Sequence, residues 1–455
     1  AASDVYKRQA YNLALDCMAD DLIMQSQGNG WFWGDHCYNV KSNYTSSAFR
    51  SYDVWYANYK WIANVNYIID AEPEMAGTEA DVAYVAGQAY AIRALCYLNL
   101  ATWFSRAPYN SLTGASRWNE PCVPVYTTGT SIDTGGQPRE SLRTVYGRID
   151  QDIDRAIELL EKARETTLAE NNKSHINLYV ALGIKSRACL AEGDWDGAFK
   201  AAKRVIDEGG YAVGTKSDLT GGMNSLDKQN VMWGAGIQVA DQAGGYAGFF
   251  THMDNKEGAY AKSAPKLISK QLYNRISATD IRRDWWDPSD KESPYVSKKF
   301  SFANVASFLG DYIYMRVEEM YFTAAEAALR LDDLKSAREL MNTVMAERDP
   351  GYSANNRSGT LLGATTTTWT GSFLENILTH RRIELWGEYG RLFDVRRLGQ
   401  GIDRRTDDGF SEECISMMNR RNVNITKADT YDWVLTIPKA ELDANPNINE
   451  EDQNP

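Results

Sequence analysis

Two carboxylates one helical turn apart, Glu384 and Glu388, form the most catalytic-looking pair in this chain of 455 residues. Paired acids run glycoside hydrolysis, one protonating the leaving oxygen while the other attacks or activates water. The neighbours point elsewhere. Arg381, Arg382, Arg391, Arg396 and Arg397 crowd the same block, with Asp394 among them. That density predicts an ion-pair network joining helix and loop, in which each carboxylate stays ionised and occupied. No catalytic residue is assigned, and the chain is expected not to be an enzyme.

Other chemistry is sparse. The four histidines (His36, His175, His252 and His380) show no HExxH and no pairing with cysteine, so no metal site is expected. Gly234-Ala235-Gly236 opens like a dinucleotide loop, but Val239 stands where the third glycine is needed. That gives no cofactor fingerprint. Asp284 to Asp290 does not fit a calcium loop, which leaves calcium held by loop carboxylates and carbonyls an open alternative. The six cysteines, at 17, 37, 96, 122, 189 and 414, have no metal spacing, and their disulfide state is undetermined.

The aromatics are more telling, with 13 Trp and 26 Tyr. Two loci sit where a core role is least expected. Trp31-Phe32-Trp33 is flanked by Gly28, Gly30 and Gly34 and followed by Tyr38, Asn39, Asn43 and Tyr44. In extended backbone Trp31 and Trp33 project to one side. Trp285-Trp286 lies within a charged run from Asp280 to Pro288 that includes Arg283. A Trp face covers the C–H face of a sugar ring while nearby polar groups satisfy its hydroxyls. The expected ligand-binding set is therefore Trp31, Trp33, Trp285 and Trp286 as platforms, with Asn39, Asn43 and Arg283 as polar partners. Tyr38, Tyr44 and Tyr260 extend the surface. The competing reading, equally consistent with each Trp, is a ring that plugs a gap beneath a loop.

The elements that must position these residues are helical. Tyr90, Ala94, Tyr97, Ala101 and Phe104 step by four and three, and Ala91, Leu95 and Leu98 form a second apolar stripe. This pattern predicts a helix buried on more than one side. Tyr52 to Ile69 and Leu142 to Ala163 also read as helices. Two stretches, His175–Asp207 and Arg316–Arg348, read as helical hairpins turning at Gly193-Asp194 and Asp332-Asp333. Small residues follow each turn at matching offsets, the pattern of a tetratricopeptide repeat. Between them lie long segments rich in Gly, Ser, Thr, Asn and aromatics. The expected fold is mostly α: a tetratricopeptide-like helical scaffold (about 1–104, 141–208, 313–349 and 373–398) with a few short strands. It carries large irregular insertions at about 105–140, 209–312, 350–372 and 399–436.

The net charge of −12 argues against nucleic acid, whose binders concentrate basic residues on one face. No apolar run reaches the roughly 20 residues of a membrane span.

Four stretches together resemble the SusD/RagB family. They are Trp55–Ile69 (WYANYKWIANVNYII), Gly87–Pro108 with its central Arg-Ala, Arg381–Leu398 (RRIELWGEYGRLFDVRRL), and the end from Ile437-Pro438 through Gln453-Asn454-Pro455. The resemblance covers nearly the whole chain in order, as one domain over 1–455. It implies a non-catalytic, surface-exposed lipoprotein of the outer membrane of Bacteroidetes-type bacteria. Such a protein binds oligosaccharides for import through a partner SusC-like TonB-dependent transporter. The alternatives are a peptide-binding, RagB-like uptake protein and an all-helical glycoside hydrolase. The family's signal peptide and lipidated Cys have no counterpart here, since Asp16 precedes Cys17 and no apolar segment leads to it. The native N-terminus is therefore expected to lie upstream.

Overall fold

Side-chain caps start most of the long helices where the sequence places a Ser, Thr, Asn or Asp. The computed structural model describes residues 13–28, 30–38, 49–168, 172–238, 248–361, 370–388, 390–428 and 430–455. The chain packs as two compact units, each assembled from segments distant in sequence.

One unit comprises Asn39–Ala201, Arg396–Gly399 and Lys427–Pro455. It is built on α1 (Phe49–Ala71), α2 (Glu79–Phe104), α3 (Leu142–Lys162) and α4 (Leu178–Glu192), with α5 (Trp195–Glu208) beginning in it. Thr78 caps α2 by accepting from Asp81 N at 3.1 Å, and Ser141 caps α3 through Thr144 N at 3.2 Å. Each cap satisfies an amide that the first turn leaves without a helical partner. Gly193 closes α4 at φ +76, a left-handed conformation, and a Cβ there would lie 2.5 Å from the Tyr109 ring. Both constraints select glycine. The apolar face of α3 (Leu142, Val145, Ile149, Ile153 and Ala156) is wholly buried. Gly87 of α2 lets that helix approach α3, since a Cβ would lie 2.9 Å from Leu160 Cγ.

The Arg-Ala at the centre of α2 has a structural task. Arg93 donates through Nε and Nη2 to both oxygens of Asp152 on α3, each at 2.7 Å. Its Nη1 donates to Asn66 Oδ1 of α1 at 2.7 Å and to Thr127 O at 2.9 Å. One buried guanidinium thus joins three helices and a loop with fixed, two-pronged geometry. The terminal Asn has a comparable role: Asn454 Nδ2 donates to Phe104 O and Leu435 O, both at 2.8 Å.

The other unit comprises Ala1–Tyr38, Ala202–Val395 and Gln400–Thr426. Its helices include α6 (Val317–Arg330), α7 (Leu334–Ala346), α8 (Phe373–Glu384) and α10 (Glu412–Arg420), and α9 (Arg391–Arg397) starts here. The turn between α6 and α7 falls at the expected Asp332-Asp333, where Asp333 accepts from Ser336 N at 3.0 Å. Strand is confined to short pieces, β1 (Leu22–Ile23), β2 (Val231–Ala235), β3 (Leu267–Ile268), β4 (Trp286–Asp287), β5 (Val296–Ser297) and β6 (Tyr312–Arg316). Antiparallel pairing gives one sheet in the order β1-β3-β5-β4 and a second of β2 with β6.

The mostly helical fold with a few short strands is as the sequence implied. Within this unit segments 209–312 and 313–349 are bonded together: β2 pairs with β6, Gly214 N donates to Glu318 Oε1 at 2.8 Å, and Arg348 Nη1 donates to Gly214 O at 2.7 Å.

Candidate functional site

The carboxylate pair is fully engaged. Glu384 ends α8, and Glu388 lies in the turn beyond it. Glu384 receives Arg316 Nη1 at 3.0 Å, Arg282 Nη1 at 3.1 Å, and Arg348 through Nη2 at 2.9 Å and Nε at 3.2 Å. Glu388 receives Arg316 Nε and Nη2, both at 2.7 Å, and Lys299 Nζ. Burial alone would raise both pKa values, but Arg348, Arg316 and Arg282 hold Glu384 well below the usual carboxylate range. Arg316 and Lys299 likewise lower Glu388. Carboxylates held ionised by four such bonds on Glu384 and three on Glu388 offer no proton to a leaving group. Farther along the arginine block, Arg382 donates to Asp21 and Asp20, and Arg391 Nε donates to Asp20 Oδ1 at 2.9 Å. The block therefore anchors the N-terminal segment.

Of the expected platforms, Trp285 and Trp286 prove to be core residues, 2% and 1% exposed. Trp285 Nε1 donates to Leu219 O at 2.8 Å, and the Lys299 ammonium sits 4.5 Å from its ring centre. Trp286 meets Trp386 edge-to-face at 5.7 Å. The charges that marked this run turn inward too: buried Arg282 donates to Asp280 Oδ2 at 2.7 Å and Glu384 Oε2 at 3.1 Å, and Lys299 beside Trp285 is held by Glu384 O at 2.7 Å and Trp386 O at 2.8 Å. A Trp enclosed on both faces gives a sugar nothing to stack on. Trp33 and Tyr38 are also enclosed, at 4% and 2%. Trp33 packs on His36, and the Tyr38 hydroxyl donates to Met18 O beneath the Arg404 guanidinium. Arg283 is half-buried, lies over Tyr273 at 4.5 Å and donates to Ile276 O at 2.7 Å. It lines a polar recess of about 430 Å³ with Asp280, Asp284, Asp287 and Lys298. Asn39, Asn43 and Tyr44 lie outside the described residues.

Trp31 and Tyr260 remain, both half-buried, and the fold brings them together. Their ring centres are 5.9 Å apart, and His252 bridges them, 5.2 Å from Trp31 and stacked on Tyr260 at 4.9 Å. Phe32, at φ +63, turns inward and meets His252 edge-on at 5.0 Å. Glycine makes this approach possible. Gly28 has φ +50, and a Cβ on it would lie 2.5 Å from Ser263 O and 2.8 Å from Ala264 Cβ. The loop therefore closes on the short helix Ala259–Ser263 that carries Tyr260. Asp254 fixes the preceding turn, its Oδ1 accepting from Lys256 N at 3.0 Å and Glu257 N at 2.9 Å. The result is a partly exposed aromatic face on a buried His-Phe base. His252 escaped the sequence reading because a lone histidine between Thr and Met carries no motif.

Two family models match the chain. One, SusD-like and described as "Starch-binding associating with outer membrane", matches residues 2–190; the other, described as the SusD family, matches residues 257–455. The chain belongs to the SusD/RagB family. Solved structures agree along nearly the full length. A SusD-like carbohydrate binding protein from Bacteroides vulgatus is 25% identical with a TM-score of 0.76, covering 99% of this chain and 97% of its own. A SusD superfamily protein from Bacteroides thetaiotaomicron is 22% identical with a TM-score of 0.79, covering 100% and 98%. Surface glycan-binding protein A from Bacteroides thetaiotaomicron, in complex with laminarihexaose, is 17% identical with a TM-score of 0.67, covering 97% and 93%. A search of curated proteins gives no significant match. Among the described residues of this SusD-family chain, no helix is long and apolar enough to cross a membrane, and no cluster of His, Cys, Asp and Glu could hold a metal ion.

Proposed function

We propose that this SusD-family protein captures oligosaccharides at the cell surface without cleaving them and passes them to a SusC-like TonB-dependent transporter. In this reading the full-length protein is held at the outer membrane by an N-terminal lipid. The observation that carries the proposal is the Trp31–His252–Tyr260 face. It leaves aromatic surface half-open on a rigid base, as stacking on a sugar ring requires. The pairing of Glu384 and Glu388 with buried arginines and Lys299 supports binding without hydrolysis, and the family's description supports both the ligand class and the membrane.

The test is a glycan array followed by a hydrolysis assay on the sugars that bind. Wild-type protein should retain a defined set of oligosaccharides and release no reducing ends. Trp31→Ala and Tyr260→Ala should each weaken retention by about 1–3 kcal/mol without lowering the melting temperature. Hydrolysis of a retained sugar, or retention of peptides in place of glycans, refutes the reading. For the transporter, gentle detergent extraction from the native host should bring the barrel out with the protein; recovery of the protein alone refutes that part.

A further inference from the structure

The unit built on α1–α4 carries a groove that the Trp31 site does not include. It has a volume of about 530 Å³, within the range of small-molecule sites. Its wall is α1, where Tyr52 and Tyr56, one turn apart, stack with ring centres 5.6 Å apart and planes 9° from parallel. These rings are 40% and 49% exposed. Its floor is Trp55, Tyr59 and Tyr126, whose polar ends are already engaged within the protein. Trp55 Nε1 donates to Glu441 Oε2 at 3.2 Å, Tyr59 OH donates to Pro124 O at 2.8 Å, and Tyr126 OH accepts from Gln137 N at 3.0 Å. Tyr59 and Tyr126 meet edge-to-face at 5.9 Å. The Trp55 N–H and Tyr59 O–H are therefore already donated within the protein, and these residues line the groove with aromatic surface.

The polar groups lining it are the hydroxyls of Thr130, Ser131 and Thr134, the Lys60 ammonium and the Glu441 carboxylate. Glu441 is held in place by Trp55 on one oxygen and by Asn445 Nδ2 on the other at 2.8 Å. A carboxylate accepts about four hydrogen bonds, so each oxygen keeps capacity for a ligand's donor.

We propose that this groove is a second saccharide-binding site, with Tyr52 and Tyr56 as the stacking surface and Glu441 as the hydroxyl acceptor. The ligand class rests on the carbohydrate reading of the Trp31 site, but the residues are separate. The chemistry selects among occupants. A phosphate-bearing ligand would meet the Glu441 carboxylate, a like charge, with one lining cation, Lys60 over the Tyr56 ring at 5.9 Å, to set against it. A proline-rich strand would cover the aromatic floor, but proline has no N–H to give the held carboxylate, which would then lose water without a replacement. A sugar supplies both apolar C–H faces and hydroxyl donors.

The experiment uses isothermal titration with maltohexaose and laminarihexaose, each on wild type, Trp31→Ala, Tyr52→Ala/Tyr56→Ala and Glu441→Gln. A polyproline decamer serves as the competing probe. Wild type should bind two equivalents of one hexasaccharide. The tyrosine double variant and Trp31→Ala should each lose one equivalent, or weaken it roughly 10-fold or more. Glu441→Gln should weaken the same equivalent as the tyrosine variant. Both tyrosines are exposed, so the melting temperature of their variant should match wild type. A single equivalent, lost in Trp31→Ala and unaffected by the tyrosine variant, overturns this inference and leaves the Trp31 site standing. Polyproline binding that the tyrosine variant abolishes also overturns it. No binding of either sugar to wild type overturns this inference, while the Trp31 reading is decided by the glycan array.

Discussion

Replacing Glu384 by Gln preserves shape and removes one charge, which makes it a sharp test of the arginine network. In the native site one oxygen faces Arg316 Nη1 and Arg348 Nη2, and the other faces Arg282 Nη1 and Arg348 Nε. The amide oxygen of Gln can keep the first pair of bonds. Its NH₂ then points at two guanidinium donors, so the second pair is lost. Bonds to charged groups contribute about 1.5–3 kcal/mol each, and two of them give a loss of about 3–6 kcal/mol. The cost of breaking a buried ion pair from one side, about 3–5 kcal/mol, falls in the same range. Arg282 and Arg348 have fully buried side chains, so solvent cannot offset the loss. At about 2–4 °C per kcal/mol for a domain of this general size, the melting midpoint should fall by about 6–24 °C. Differential scanning calorimetry of Glu384→Gln beside wild type at pH 7 measures it. A midpoint within 1 °C of wild type, to order of magnitude no change, would refute the structural role of Glu384. It would return that residue to the list of candidate acids.

The Trp pair should behave in the opposite way to Trp31: Trp285→Ala and Trp286→Ala should each cost about 3–5 kcal/mol of stability. Urea unfolding reads that loss, and an unchanged midpoint would contradict the core assignment. Burial lifts the Asp16 carboxyl to about 8, with the Arg391 amide opposing the rise, whereas an unfolded Asp ionises near pH 4. Between about pH 4 and 8 the folded state retains a proton that the unfolded state has released, so stability contributed here falls as pH rises. Asp16→Asn should therefore match wild type near pH 4 and melt higher near pH 8; equal midpoints at both would count against it. Gly193→Ala forces a side chain into left-handed backbone and against Tyr109, so a loss of about 1–2 kcal/mol or more is expected in thermal unfolding.

The helices were legible in the sequence because their signals are local. The four-three spacing through Tyr97 and Phe104 and the turns at Gly193 and Asp332-Asp333 act within a few residues. The arginine density around Glu384 was equally legible as a network, since opposite charges at that concentration in a buried block must pair. Its partners were not, because Asp20, Asp21, Arg282 and Arg316 lie far away in the chain. Tertiary structure alone decided which aromatics open outward. Trp31 and Trp33 are two residues apart in one glycine-rich loop, yet a left-handed Phe32 between them leaves one half-open and buries the other. Trp285 and Trp286 looked exposed because charges surround them, but Lys299 is drawn inward by backbone carbonyls and Glu388 and covers Trp285. Tyr52 and Tyr56 fall in a stretch that reads in the sequence only as a helix. Periodicity shows that two rings share a side of a helix; whether another element covers them depends on contacts across the whole chain.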